Sequence, residues 1–99
     1  MTIQDLQKWV QKDWEINSKH TPTVEFQLLY IIEEFGEVAE VLRKIKGAKD
    51  RKNITIDLGS EFADLLIAIV TLANCFEIDL NSEIELFQCR ITERHKQGY

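Results

Sequence analysis

Apolar residues recur along the chain at spacings of three and four, the period of an amphipathic helix. Ile3, Leu6, Val10 and Trp14 mark a first helix from about Ile3 to Asn17, with Thr2 placed to cap it. The segment SKHTPT breaks the pattern, and Thr21-Pro22 predicts an N-cap followed by proline at the first helical position. The second helix is expected from about Pro22 to Lys46, dense in Phe, Leu, Ile and Val, with Arg43, Lys44 and Lys46 in its last turn and Gly47 as its stop. GAKDRKN is a polar, basic connection, either solvated or closing over phosphates. A third helix starts between Thr55 and Ser60, because Gly59 weakens any earlier start, and runs to about Phe76. Its body, EFADLLIAIVTLANCF, is apolar nearly all round. A fourth follows Asp79 as N-cap, with Leu80, Ile84, Phe87 and Ile91 in one stripe.

Four helices and no alternating strand predict an all-α, four-helix bundle-like fold over one domain, residues 1–99. A helix without a polar face must be covered on every side. A chain of 99 residues offers too little material for that, so completion by a homodimer or homotetramer is expected. One proline and four glycines argue against a turn-rich β sandwich. The net charge of −5 disfavours a nucleic-acid polymer as partner, since proteins that track a phosphate backbone are basic. Cys75 and Cys89 have no metal-ligand spacing and are expected as reduced, partly buried thiols. Leu65 to Ala73, the longest apolar stretch, is about half a bilayer span, and no signal-like run opens the chain, so a cytoplasmic location without membrane contact is expected.

The acids sit where a plain bundle would place apolar residues. Glu33, Glu34, Glu37 and Glu40 interrupt helix two; Glu61 and Asp64 interrupt the head of helix three. Residues three apart share a helix face, so Glu34 with Glu37 and Glu61 with Asp64 each form a carboxylate fork. Glu40 reads as a solvated acid paired with Lys44. Asp64, among Phe62, Ala63, Leu65, Leu66 and Ile67, is expected to be buried, where a bare charge is costly. No basic residue lies between Glu61 and Phe76, so a cation is the natural compensation. An oxygen-only ligand set suits Mg²⁺, Mn²⁺ or Ca²⁺. A di-iron site needs Glu-x-x-His on two helices, and neither His20 nor His95 has a glutamate three residues before it. No EF-hand loop and no Walker A loop occurs.

Glu33-Glu34-Phe35-Gly36-Glu37, then 23 residues, then Glu61-Phe62-Ala63-Asp64, resembles the EExxE…ExxD motif of the MazG-like, all-α nucleoside triphosphate pyrophosphohydrolases. IIEEFGEVAEVLRK, EFADLLIAIVTLAN and EIDLNSEIE extend the resemblance over roughly Phe26 to Tyr99. It implies hydrolysis of canonical or non-standard (d)NTPs to the monophosphate and pyrophosphate, a house-cleaning role in the nucleotide pool. It implies Mg²⁺ as cofactor, with Mn²⁺ as a substitute, held by Glu34, Glu37, Glu61 and Asp64. Glu33 and Glu37 are then the candidate catalytic acids that position water. Asn74 matches an amide near the nucleotide, and Arg90, Arg94 and Lys96 match a basic tail that would meet phosphates. The fold so implied is a helical bundle working as a dimer or tetramer.

Other residues keep two readings each. Trp14 either stacks a base or packs in the core, and so does Trp9. Phe26 and Tyr30, two turns and one turn before Glu34, either wall a pocket or pack. Lys12 and His20 read as solvated, with substrate contact as the alternative. The rival functional class is a non-catalytic helical module that holds nucleotide or metal or binds another protein, in the manner of an antitoxin. An intact set of five acids favours the enzyme.

Overall fold

The computed structural model describes residues 1–17, 21–44 and 51–98, with backbone only for 51–56. Four helices follow in order: α1, Ile3–Asn17; α2, Val24–Lys44; α3, Arg51–Cys75; α4, Leu80–Lys96. No strand occurs among the described residues.

Local capping chemistry sets most of the boundaries. The Asp5 amide donates to Thr2 Oγ1 at 3.0 Å, and the Thr2 amide donates back to the Asp5 carboxylate at 3.1 Å, a reciprocal cap on α1. α2 begins two residues later than the Thr21-Pro22 signal predicts. Thr23 is its cap, accepting from the Phe26 amide at Oγ1 (3.3 Å) and from the Gln27 amide at its carbonyl (3.0 Å). The residue before a proline is biased away from helical backbone, which keeps Thr21 out of the helix. α3 begins at Arg51, earlier than expected. Gly59 costs about 1 kcal/mol inside a helix, too little to break one that continues on both sides. The rest of the expected GAKDRKN connection, with Lys46 and Gly47, lies outside the described residues, as does His20. Asp79 caps α4, accepting from the amides of Asn81 and Ser82.

α3 ends at Cys75 in a Schellman-type turn. The Ile78 amide donates to the Ala73 carbonyl and the Glu77 amide to the Asn74 carbonyl, both at 3.1 Å, with Glu77 in the left-handed region at φ 54°. This turn is fastened to α1 by one side chain. Gln7 Nε2 donates to Asn74 Oδ1 at 3.0 Å and to the Ile78 carbonyl at 2.7 Å, and Gln7 Oε1 accepts from the Leu80 amide at 2.9 Å. Asn74 Nδ2 donates to the Gln7 carbonyl at 3.0 Å.

The helix pair α2–α3 forms the main packing layer; α1 lies on α3, and α4 touches α1 more lightly. Val10, Val38, Val41, Ala68, Val70 and Ala73 are the buried apolar residues. The core is thin for the apolar content. Phe26, Leu29, Ile32 and Phe35 of α2, Phe62 and Leu66 of α3, and Ile84 and Phe87 of α4 all stay exposed. α4 has no buried residue, although Leu80 and Ile91 of its stripe are half-buried. Cys75 is half-buried, but Cys89 is exposed because α4 is uncovered on that side. Asp57–Cys75 is long and apolar enough to cross a membrane by length and composition, at mean hydropathy 1.5. That span exceeds the Leu65–Ala73 run because the interrupting polar residues are few; two of them, Glu61 and Asp64, face the acids of α2.

Candidate metal and nucleotide site

α2 and α3 bring their acids together. One carboxylate oxygen from each of Glu34, Glu61 and Asp64 lies within 4.8 Å of the others, close enough for one ion to bridge them. The forks predicted from the i, i+3 spacing therefore do face each other. Glu34 is buried at 5% exposure, and Glu61 is half-buried. Asp64 is exposed, which corrects the expectation that it is the buried acid. Its apolar neighbours are themselves only partly covered in the single chain, so they do not bury it.

Glu37 completes the cluster. It lies within hydrogen-bond reach of both Glu61 and Glu34, and the bond with Glu61 is the main reason its carboxyl titrates above the ordinary glutamate range, ahead of desolvation. Burial raises the Glu34 carboxyl, and the Glu37 charge raises it further. Glu33 is exposed and reaches the cluster only through its charge on Glu37. Glu40 is away from it and pairs with Arg43 at 2.9 Å, not with Lys44.

Two oxygens mark the cluster as unfinished. Glu34 Oε2 and Glu61 Oε2 are buried and accept no hydrogen bond. Buried acceptors are nearly always paired, and an unpaired carboxylate oxygen is the most expensive exception. No lysine or arginine among the described residues forms an ion pair with these acids. The donor set fits a hard divalent cation: three carboxylates that meet, a fourth beside them, and no nitrogen or sulfur.

Tyr30, one turn before Glu34, connects the cluster to a cavity. Its hydroxyl lies at the Glu34 carboxylate; burial first, and then that negative charge, push its pKa up, so it stays a protonated donor at neutral pH. Tyr30, Trp14, Phe26 and Gln27 line a cavity of about 510 Å³ together with Ile67 and Thr71. Phe26, 72% exposed, and Tyr30, 45% exposed, are not core in the single chain, and Trp14 is half-buried. Trp9 is exposed and lines no cavity with them.

The remaining candidates fall elsewhere. Asn74 holds Gln7 and borders a wide polar cleft with Lys8 and Lys12, on the far side of α3 along its length from Asp64. Ten residues of helix, about 15 Å, separate Asn74 from Asp64. Arg90 and Arg94 line a shallow apolar cleft of α4 with Phe87 and Ile91, which no site acid borders, and Lys96 is the exposed last residue of that helix. No ion pair joins Arg90, Arg94 or Lys96 to the carboxylates among the described residues. Two side chains that the structure places at these features carry little sequence signal. Gln7 is one polar residue among several on α1, and Gln27 sits in a run that otherwise reads as helix core.

The fold and site together define an all-α domain with a carboxylate, oxygen-only cluster between two facing helices. Residues 23–99 match the MazG nucleotide pyrophosphohydrolase domain, and the chain belongs to that family. The fold is shared with crystal structures of iMazG from Vibrio DAT 722. The Ntag-iMazG structure is 24% identical with a TM-score of 0.71, covering 95% of this chain and 97% of that one. The Ctag-iMazG structure is 25% identical with a TM-score of 0.69, covering 93% and 99%. No curated protein matches the chain.

Proposed function

We propose that the protein is a divalent-metal-dependent nucleoside triphosphate pyrophosphohydrolase, releasing the monophosphate and pyrophosphate, with Mg²⁺ as the working ion and Mn²⁺ as a substitute. Family membership supports the reaction class. The observation that carries the metal is the pair of buried, partnerless oxygens of Glu34 and Glu61 inside the carboxylate cluster.

Glu34, Glu37, Glu61 and Asp64 would hold the cation. When bound, it supplies positive charge that lets a triphosphate approach acids which would otherwise repel it. The chain's own residues do the rest. Tyr30, whose hydroxyl lies near the Glu34 carboxylate, would steady that ligand. Glu37, whose carboxyl is raised above the ordinary glutamate range, is a candidate to take a proton from water. Glu33, exposed beside Glu37, is the second candidate for that role. The cavity bordered by Trp14 and Tyr30 adjoins the cluster and would receive the nucleoside, excluding water from one side of the reacting phosphate. Asn74, Arg90, Arg94 and Lys96 would act on nucleotide only if ligand or a second subunit moves them toward the acids. The exposed apolar faces of α2, α3 and α4 support such a homo-oligomer, and nucleotide-pool work would place it in the cytoplasm.

The test is a panel of NTPs and dNTPs with Mg²⁺, scoring pyrophosphate against orthophosphate, with light scattering on the same sample. Pyrophosphate release from an assembly larger than 11.6 kDa is expected. Orthophosphate from every active substrate would overturn the reaction, and a monomer would overturn the assembly.

A further inference from the structure

Gln27 is buried, at 8% exposure, yet it lines the open cavity beside the carboxylate cluster. Among the described residues its carboxamide makes no side-chain hydrogen bond, although the neighbouring polar groups do: Thr71 Oγ1 donates to the Ile67 carbonyl at 2.8 Å, and Asp13 accepts from Asn17 Nδ2 at 2.8 Å. No atom of the carboxamide is both sealed from solvent and unpartnered, so the amide opens to the cavity, where a ligand can take the place of water on it. Its walls are aromatic, from Trp14, Phe26 and Tyr30, which suits a flat heterocycle. Gln27, Tyr30 and Glu34 stand at i, i+3 and i+7, so Gln27 lies about 10.5 Å before Glu34 along the same helix face. A nucleoside whose 5′ end meets the acids would thus direct its base toward the amide.

We propose that Gln27 is a specificity-determining residue that reads the base edge of the nucleotide, pairing Oε1 and Nε2 with a ring nitrogen and the adjacent exocyclic group. The inference rests on the nucleotide reading above. A carboxamide matches a neighbouring donor and acceptor in one plane, the pairing that glutamine makes with base edges elsewhere. Turning the amide over exchanges donor and acceptor, so the exocyclic group itself is what the site requires.

The test uses neutral nucleosides in chelator, where neither metal nor turnover contributes. Cytidine, uridine and adenosine are compared with 2-pyrimidinone riboside and purine riboside, which lack the group at position 4 or 6, by ligand-detected NMR titration of the full chain. Wild type should bind at least one parent nucleoside roughly 5- to 150-fold tighter than its deleted counterpart, the range for one bidentate pair. Gln27→Leu should erase that ratio while keeping binding by the aromatic walls; Gln27→Met, closer in shape, serves the same purpose if the leucine variant does not fold. Equal binding of parent and deleted nucleosides by wild type overturns the proposal, as does an unchanged ratio in the variants or no nucleoside binding at all. Discrimination without any triphosphate hydrolysis would keep the role of Gln27 and remove the hydrolase; pyrophosphate release without discrimination would do the reverse.

Discussion

Replacing Glu34 with glutamine should stabilise the metal-free protein and abolish its response to Mg²⁺. Glu34 is 5% exposed, one of its oxygens has no partner, and Glu37, Glu61 and Asp64 surround it. The amide keeps the shape, removes one charge from the cluster and can donate to a neighbouring carboxylate. Leaving a buried polar atom unpaired costs about 1–3 kcal/mol, of which an amide that finds one partner recovers part. A gain of about 1 kcal/mol is expected, which raises the melting temperature by about 4–8 °C in a domain of this size. Wild type should behave oppositely. A ligand that binds only the folded state at about one hundred times its Kd adds about 2.7 kcal/mol, or roughly 10–20 °C, less where subunits melt together. The assay is thermal melting of both proteins in chelator and in Mg²⁺ at matched ionic strength. If the two proteins respond equally to Mg²⁺, or if Glu34→Gln melts below wild type in chelator, the cluster is an ordinary acidic surface that salt merely screens.

Glu61→Gln and Asp64→Asn should each lower turnover on the order of 10²-fold or more with helix content unchanged, by analogy with loss of a preorganised stabiliser; circular dichroism and pyrophosphate assays check both halves. In chelator, stability should fall as pH rises. Glu34 and Glu37 titrate higher in the fold than their ordinary 4.5, so the folded state retains protons that the unfolded chain has released. Their contribution is complete below pH 4.5 and is lost upward from there, whereas the caps Asp5 and Asp79, held below 3.8, lose theirs only as pH drops further. Saturating Mg²⁺ should reverse the upper trend, because ligands must be deprotonated to bind; denaturant midpoints across the pH range give the sign. Gln7→Ala should cost about 1–3 kcal/mol in urea unfolding, since it strips partners from Asn74, Ile78 and Leu80 together.

Much of the architecture was legible because helical periodicity, caps and the i, i+3 rule are local. Thr2 and Asp79 cap as their positions suggest, and Glu34, Glu61 and Asp64 meet across two helices with Glu37 beside Glu61. Boundaries were less legible where two signals compete, as at Thr21 and Thr23, or where a single weak breaker such as Gly59 is overruled by continuation on both sides. Burial was least legible. Apolar neighbours make Asp64 look enclosed, yet Glu34 is the enclosed acid, because which helix faces are covered depends on partners distant in sequence. Gln27 gives no motif signal for the same reason, since its place on the cavity comes from lying two turns before Glu34 on the face that opens beside Trp14 of another helix.

The most direct test of the central claim is hydrolysis of a nucleoside triphosphate in ¹⁸O-labelled water with Mg²⁺, followed by mass analysis of both products. Attack at the phosphorus nearest the nucleoside puts the label in the monophosphate and leaves pyrophosphate unlabelled, and both should disappear in Glu34→Gln. Label in pyrophosphate or orthophosphate, or the same products at the same rate from Glu34→Gln, would contradict the account.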